Sequence, residues 1–404
     1  MNIVIISVLL PYPLDSGGAQ AQFNIIDKLR AKHNITFVFP ENSLNKINAM
    51  QELQKLWPNV TFKPYRFLAQ LTDFFFFFDK IVRAFNLKFR ANNDRFKIER
   101  ILKPYGFSLR SRFRTFLYKI ISDAKADVVQ IEFYPFLELV DSLPENVLKV
   151  FVHHEIRYVR NERMLLTFDL TESEKQMKDD VKNRELLYLN KYDRVVTLTQ
   201  IDKNELESQG VNVPIYVSPA AVNSKCKQYL GWNGVISFLG AYVHTPNKEG
   251  MDWFINDVLP MVDFVQSDKL TLDIIGKGWP IDYEKNTENC NIKLCGFKES
   301  LSDAIGGTIM IIPILSGSGM RMKILEAAAL GVPFITTSIG VEGLEFRHGE
   351  SCLVADTAES FAELLSQLTK DEKLRLKLTK EATRIFEKYY SVESLSKVRD
   401  KVYM

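Results

Sequence analysis

Residues 316–337 read SGSGMRMKILEAAALGVPFITT, and this stretch decides how the whole chain is read. An apolar run from Ile309 to Ile314 precedes it as a buried strand. A glycine-rich turn holding Gly317 and Gly319 follows, then an alanine-rich helix, then Gly331-Val332-Pro333 and another apolar strand. Such a turn aims unpaired backbone N–H groups at whatever lies above the sheet, and anions are the usual guest. Arg321 and Lys323 fall in the first turn of the helix, where the macrodipole disfavours positive charge. A bound anion would offset that cost, and a diphosphate is the first expectation.

The same strand–turn–helix grammar extends in both directions. In the N-terminal half, strands are expected at Ile3 to Leu9, Ile35 to Val38, Val128 to Glu132, Leu148 to Val152, Arg194 to Leu198 and Pro214 to Val217. Gly17-Gly18 opens a helix running to about Ala31. Around Pro219 to Trp232 the pattern breaks, which places an interdomain linker there. A second series then predicts strands at Val235 to Leu239, Leu270 to Ile275, Ile292 to Cys295, Ile309 to Ile314, Phe334 to Thr337 and Cys352 to Val354. Helices are expected at about Glu249 to Leu259, Met322 to Leu330 and Ala358 to Leu368, with charged helices from about Glu372 to Lys388 and Val392 to Tyr403. Strands alternating with helical crossovers imply an α/β chain of two doubly wound, Rossmann-like parallel sheets. The expected boundaries are residues 1–222, with a basic Phe-rich helical insertion at about 66–119, and residues 230–389. The helix at about 390–404 is expected to pack back on the first domain. Ligands of such sheets bind beyond the carboxyl ends of the strands, so both glycine turns can face one central cleft.

Composition narrows the class. The 404 residues exceed one ordinary core, and 46% apolar with 25% charged residues is a globular balance. Cys226, Cys290, Cys295 and Cys352 are scattered without metal-type pairing, which suits a reducing cytoplasm. The start, MNIVIISVLLPYP, lacks a basic leader and is stopped by Pro11, so it reads as a first buried strand rather than a signal peptide. Phe74 to Phe78 is bracketed by Asp73 and Asp79, and no uncharged run is long enough to span a bilayer. A net charge of +2 excludes bulk affinity for nucleic acid. Between Lys80 and Lys119, however, about twelve Lys and Arg face two acids, Asp94 and Glu99.

The residues that could carry chemistry have plainer readings beside them. Glu326 lies three positions after Lys323 and shares its helix face, so it is either a surface ion pair or a carboxylate accepting ribose hydroxyls beside held phosphates. His154 follows a sheet strand and either bonds a nearby carbonyl or enters a site, whereas His153 reads as structural. Glu132, at a strand end, lines an acceptor side, caps a helix or is solvated. Asn247, after Pro246, reads as the cap of the next helix, with a ligand contact left open.

GSGMRMKILEAAALGVPFITTSIGVEGL resembles the signature of the family-4 retaining glycosyltransferases of GT-B fold, closest to the bacterial polysaccharide type. LPYPLDSGGAQ, DVVQIE, HHEIRYVR, YDRVVTLTQIDKNEL, FLGAYVHTPNKEGMDWF, LDIIGKG and LCGFKESLSDA resemble further segments of that family in the expected order. The resemblance implies that Glu326 binds the nucleotide ribose and that Arg321 and Lys323 meet the donor diphosphate. It implies that Gly317, Ser318, Gly319 and Met320 line the sugar and phosphates, with Gly17 and Gly18 approaching from across the cleft. His154 would sit near the sugar's reacting face. Many family members carry a glutamate eight positions before the second; Ser318 stands there in this chain.

The implied reaction is transfer of a sugar from a nucleotide sugar (UDP- or GDP-linked) to a glycan or lipid-linked acceptor during capsule, O-antigen or exopolysaccharide assembly. It would be a hexosyltransferase-type enzyme acting by front-face transfer, with no metal or cofactor required. Leaving-diphosphate charge would be stabilised by Arg321, Lys323 and the helix N-terminus. The two domains would close around the donor. The alternatives are a GT-B sugar-nucleotide epimerase and a non-catalytic GT-B scaffold. Cations from residues 80–119, interleaved with Phe85, Phe89, Phe96, Phe107, Phe113 and Phe116, suit an anionic membrane surface. The expected location is therefore cytoplasmic and peripheral on the inner face of the cell membrane.

Overall fold

The structure, a computed structural model, describes residues 1–14, 17–41, 44–66, 93–103, 111–222, 227–263, 270–286, 290–317 and 320–404. It contains two compact units, Met1–Pro219 with Ser396–Met404, and Ala220–Leu395.

The first unit is built on seven strands: β1 (Asn2–Ser7), β2 (Asn34–Glu41), β3 (Val60–Arg66), β4 (Val128–Glu132), β5 (Leu148–His153), β6 (Arg194–Thr197) and β7 (Ile215–Val217). Their order is β3-β2-β1-β4-β5-β6-β7, and every pairing is parallel. The central strands are continuous apolar runs because helices cover both faces of such a sheet. Val4, Ile6, Val129, Ile131 and Phe151 are fully buried in one cluster with Phe113, Leu117 and Phe136. Each such side chain contributes about 1.5–3 kcal/mol by leaving water.

β3 was not expected from sequence. Its stretch VTFKPYR carries Pro64 and alternating exposure. It forms at the sheet edge, where a missing N–H costs least. Of the basic insertion, helices Asp94–Leu102 and Ser111–Asp123 are described. Residues 67–92 and 104–110, including Phe74 to Phe78, Arg83, Phe85, Lys88, Phe89, Phe107 and Arg110, lie outside the described residues.

The second unit repeats the plan with β8 (Val235–Leu239), β9 (Leu270–Ile275), β10 (Lys285–Asn286), β11 (Cys290–Gly296), β12 (Ile309–Ile312), β13 (Phe334–Thr336) and β14 (Leu353–Val354). The order is β10-β11-β9-β8-β12-β13-β14. Two-residue β10 is antiparallel and amends the all-parallel expectation. Most expected strand ends move by one or two residues, as fraying ends do. The helix expected from Glu249 begins earlier, at Thr245, runs to Trp253 and continues as a π turn over Phe254–Val258. Among the described residues no helix is long and apolar enough to cross a membrane.

Strand order selects where ligands can bind. In the first sheet the winding reverses between β1 and β4, and in the second between β8 and β12. At such a switch point neighbouring connections leave to opposite sides and open a crevice at the carboxyl ends. The segments beyond β1 and β4 contain Gly17-Gly18 and Phe133, while those beyond β8 and β12 contain Asn247 and Gly317.

Candidate functional site

In the second unit, the connections after β8 and β12 are tied together. Ser316 Oγ donates to Glu249 Oε2 at 2.6 Å, and Lys323 Nζ donates to Asn247 Oδ1 at 2.7 Å. Gly317 has φ +105°, and a Cβ there would come within 3.3 Å of Pro246, so the turn fits against the first helix start only with glycine. His244 and Arg321 immediately precede the helices Thr245–Trp253 and Met322–Ala329, and neither residue caps its helix with a side-chain bond. At Thr245–Trp253 the His244 carbonyl takes the Asn247 N–H at 2.9 Å and Pro246 has none to give, so it is the start of Met322–Ala329 that suits an incoming anion.

The charges around these starts are unusually buried. Arg321 is 9% exposed and Glu326 5%. Arg321 Nη2 donates to the Gly317 carbonyl at 3.2 Å, bracing the glycine turn from within. Lys323 is half-buried, and its ammonium lies 4.7 Å from the centre of the Phe238 ring. Burial drives its pKa down to about 7, with Glu326 opposing the fall and Arg321 adding to it. The lysine is thus poised to gain a proton when a negative ligand arrives. Asn247 corrects the sequence reading: it lies inside the helix rather than capping it. Its Nδ2 donates to the Ala241 carbonyl at 2.8 Å, which turns its oxygen toward Lys323. Met320 is half-buried just before Arg321, while Ser318 and Gly319 lie outside the described residues.

A second group occupies the carboxyl ends of β4 and β5 in the first unit. His154 Nε2 meets Glu132 Oε2 at 2.8 Å, and its ring stacks on Phe133 with centroids 4.0 Å apart. Phe133 holds φ +71°, a strained value for a bulky residue, and its ring lies 3.9 Å from where a Cβ on Gly18 would stand. Gly17 and Gly18 open the helix Gly17–Leu29. Glu132 is 3% exposed, so it is neither solvated nor a helix cap. Its other oxygen accepts from Gln130 Nε2 at 2.6 Å. Burial alone pushes the Glu132 pKa up, but the His154 bond, the nearby Arg399 charge and Gln130 together bring it below the usual carboxylate value.

His153 points elsewhere. Its Nε2 meets Glu185 at 2.7 Å, and Glu185 accepts the first N–H groups of the helix Arg157–Leu165 from Arg157 at 2.9 Å and Tyr158 at 3.0 Å. Sequence reasoning missed Phe133, Gln130 and the Asn247 grip. The oddity of an Asn between Pro246 and Lys248 was the one available signal.

Residues 233–371 match the family model described as glycosyl transferases group 1. An uncharacterised 44.6 kDa protein in the cps region of Klebsiella pneumoniae is 28% identical over 189 residues, which are 45% of this chain. The aligned stretch spans 48% of that relative, about half its length. Among solved structures, TarM superposes over 100% of this chain and 99% of its own, with TM-score 0.68 and 14% identity. HepE of Anabaena, crystallised with UDP and glucose, covers 99% of each chain at TM-score 0.63 and 10% identity. TarM of S. aureus has also been crystallised with UDP, Fondaparinux and alpha-GlcNAc-glycerol. At such identities the likeness is one of fold: the chain has the GT-B architecture, and its second unit carries a group 1 glycosyl transferase domain.

Proposed function

We propose that this chain is a retaining glycosyltransferase that moves a sugar from a nucleoside-diphosphate sugar to a glycan or lipid-linked acceptor. The observation that carries the reading is the group of buried Arg321 and Glu326 with half-buried Lys323 at an uncapped helix start, inside the matched segment 233–371. UDP in the TarM and HepE structures makes a UDP-sugar the leading donor, with a GDP-sugar next. The cps-region relative supports a place in surface polysaccharide assembly.

In this reading the bond from the sugar's anomeric carbon to the diphosphate breaks as a bond to the acceptor oxygen forms on the same face. The acceptor's proton passes to the departing diphosphate, so no cofactor or metal is called for. Arg321, Lys323 and the helix N-terminus stabilise the negative charge that develops there. Glu326 accepts the ribose hydroxyls, and Gly317 with Met320 lines the donor. Gly17 and Gly18 are assigned to donor binding, His154 to the reacting face of the sugar and Glu132 to the acceptor side. The reaction takes place in the cytoplasm, with the exposed Arg112, Arg114 and Lys119 of the basic insertion turned to an anionic membrane surface.

A thermal-shift screen against UDP-, GDP- and ADP-sugars tests the donor. Stabilisation by one of them, lost in Lys323→Ala and Glu326→Ala, is expected. Unchanged calorimetric affinity in both variants would refute the donor assignment, and binding without any turnover would refute transfer.

A further inference from the structure

The hydrogen bonds behind His154 reach the far end of the sequence. Gln130, whose Nε2 donates to Glu132, is fully buried, and its Oε1 accepts from the Tyr403 hydroxyl. Tyr403 is 4% exposed and sits on the helix Val392–Tyr403. On the same helix Arg399, also 4% exposed, donates from Nε to Ser218 Oγ at 2.9 Å and places positive charge near Glu132. Arg194 Nη1 bonds the Val402 carbonyl at 2.5 Å and holds that end of the helix against the unit.

Each link in this chain dictates the direction of the next. A phenol hydroxyl given to Gln130 Oε1 turns the amide so that its NH₂ faces Glu132. The flipped amide would set its carbonyl oxygen against a buried carboxylate, which is costly. Glu132 is ionised and can only accept, so the bond to His154 requires a proton on Nε2. That leaves Nδ1 of the neutral ring as the atom able to take a hydrogen bond from a ligand hydroxyl. Phe133 covers one face of the imidazole and restricts its rotation.

We propose that Tyr403, through Gln130 and Glu132, is a positioning residue that locks His154 in the Nε2–H tautomer and presents Nδ1 to the acceptor. The acceptor role of Nδ1 rests on the transfer reading; the tautomer does not. Imidazole nitrogen NMR on the full chain, with His154 assigned by its loss in His154→Asn, reads the tautomer directly. In the neutral ring of the wild type the proton should sit on Nε2. Glu132→Gln should give a tautomer mixture and lower kcat by about 10²-fold, the usual scale of acid–base assistance. Tyr403→Phe keeps the ring and its packing. It should shift the tautomer in the same direction and lower kcat by a smaller factor, with the donor KM unchanged.

A wild-type signal from the Nδ1–H form overturns the proposal, as does a Tyr403→Phe chain, folded by its melting curve, with unaltered tautomer and kcat. If Tyr403→Phe does not fold, Glu132→Gln decides alone. An inactive wild type with the Nε2–H form intact still supports the lock and counts only against the transfer reading.

Discussion

Lys323 and Asn247 show how a single contact changes what a motif can do. Arg321, Lys323 and Glu326 were legible in sequence because three charges within six positions after a glycine turn have few bland explanations. Their burial was not legible, and burial is what sets Lys323 near neutrality, at about 7. Binding of a diphosphate should therefore take up a proton when the pH lies above that value. Affinity for UDP should fall by up to about tenfold per pH unit above pH 7, and this group should contribute no dependence at low pH. Calorimetry at pH 6 and pH 8.5, in buffers of different ionisation enthalpy, measures both quantities. In Lys323→Ala the uptake should vanish; an unchanged proton uptake would show that another group titrates. The same shift acts on stability with a defined sign. Between about pH 7 and the ordinary lysine range the unfolded chain still holds the proton and the folded one does not, so the ligand-free protein should gain stability as pH rises there.

At the scale of elements, buried parallel strands were the easiest to read. β4, β8 and β9 match their expected limits because each is a short, mostly buried stretch dominated by β-branched and other apolar residues. β3 escaped because an edge strand carries half that signal and Pro64 argues against a strand. The start of the helix Thr245–Trp253 escaped for another reason. Its position depends on Gly250, which approaches the residue just after β12 so closely that a Cβ would fall 1.8 Å from the Pro313 carbonyl oxygen. That approach brings Asn247 alongside Lys323. Gly250→Ala should cost at least about 1–3 kcal/mol, since backbone rather than a flexible tip must move. It should also weaken UDP binding. Denaturant melts and calorimetry measure the two effects, and a folded variant of undiminished stability would show that the approach is not tight.

The whole molecule carries a net charge of only +2, yet its cations gather between Lys80 and Lys119. Among the described residues of that block, Arg112, Arg114 and Lys119 are exposed, while Phe113 is 3% exposed within the core of its unit. Phe113 thus belongs to the fold, and the membrane reading rests at this helix on charge. Each cation near an anionic surface contributes about 1 kcal/mol. Replacing Arg112 and Arg114 by Gln should weaken sedimentation with phosphatidylserine vesicles by roughly tenfold or more and leave binding to neutral vesicles alone. Equal binding by variant and wild type would remove this face from the membrane reading.

By itself the sequence determined the two α/β units, the places of most strands along the chain and the charged turn of residues 316–326. Those features rest on hydrophobic period and on turn chemistry, which act over a few residues. Tertiary structure alone decided which polar atoms meet: Asn247 with Lys323 across 76 residues, and Tyr403 with Gln130 across 273. A hydrogen bond is satisfied over about 3 Å whatever the separation along the chain, so no local pattern announces it. Strand order brings these partners together, and burial then makes each choice of donor and acceptor costly to reverse.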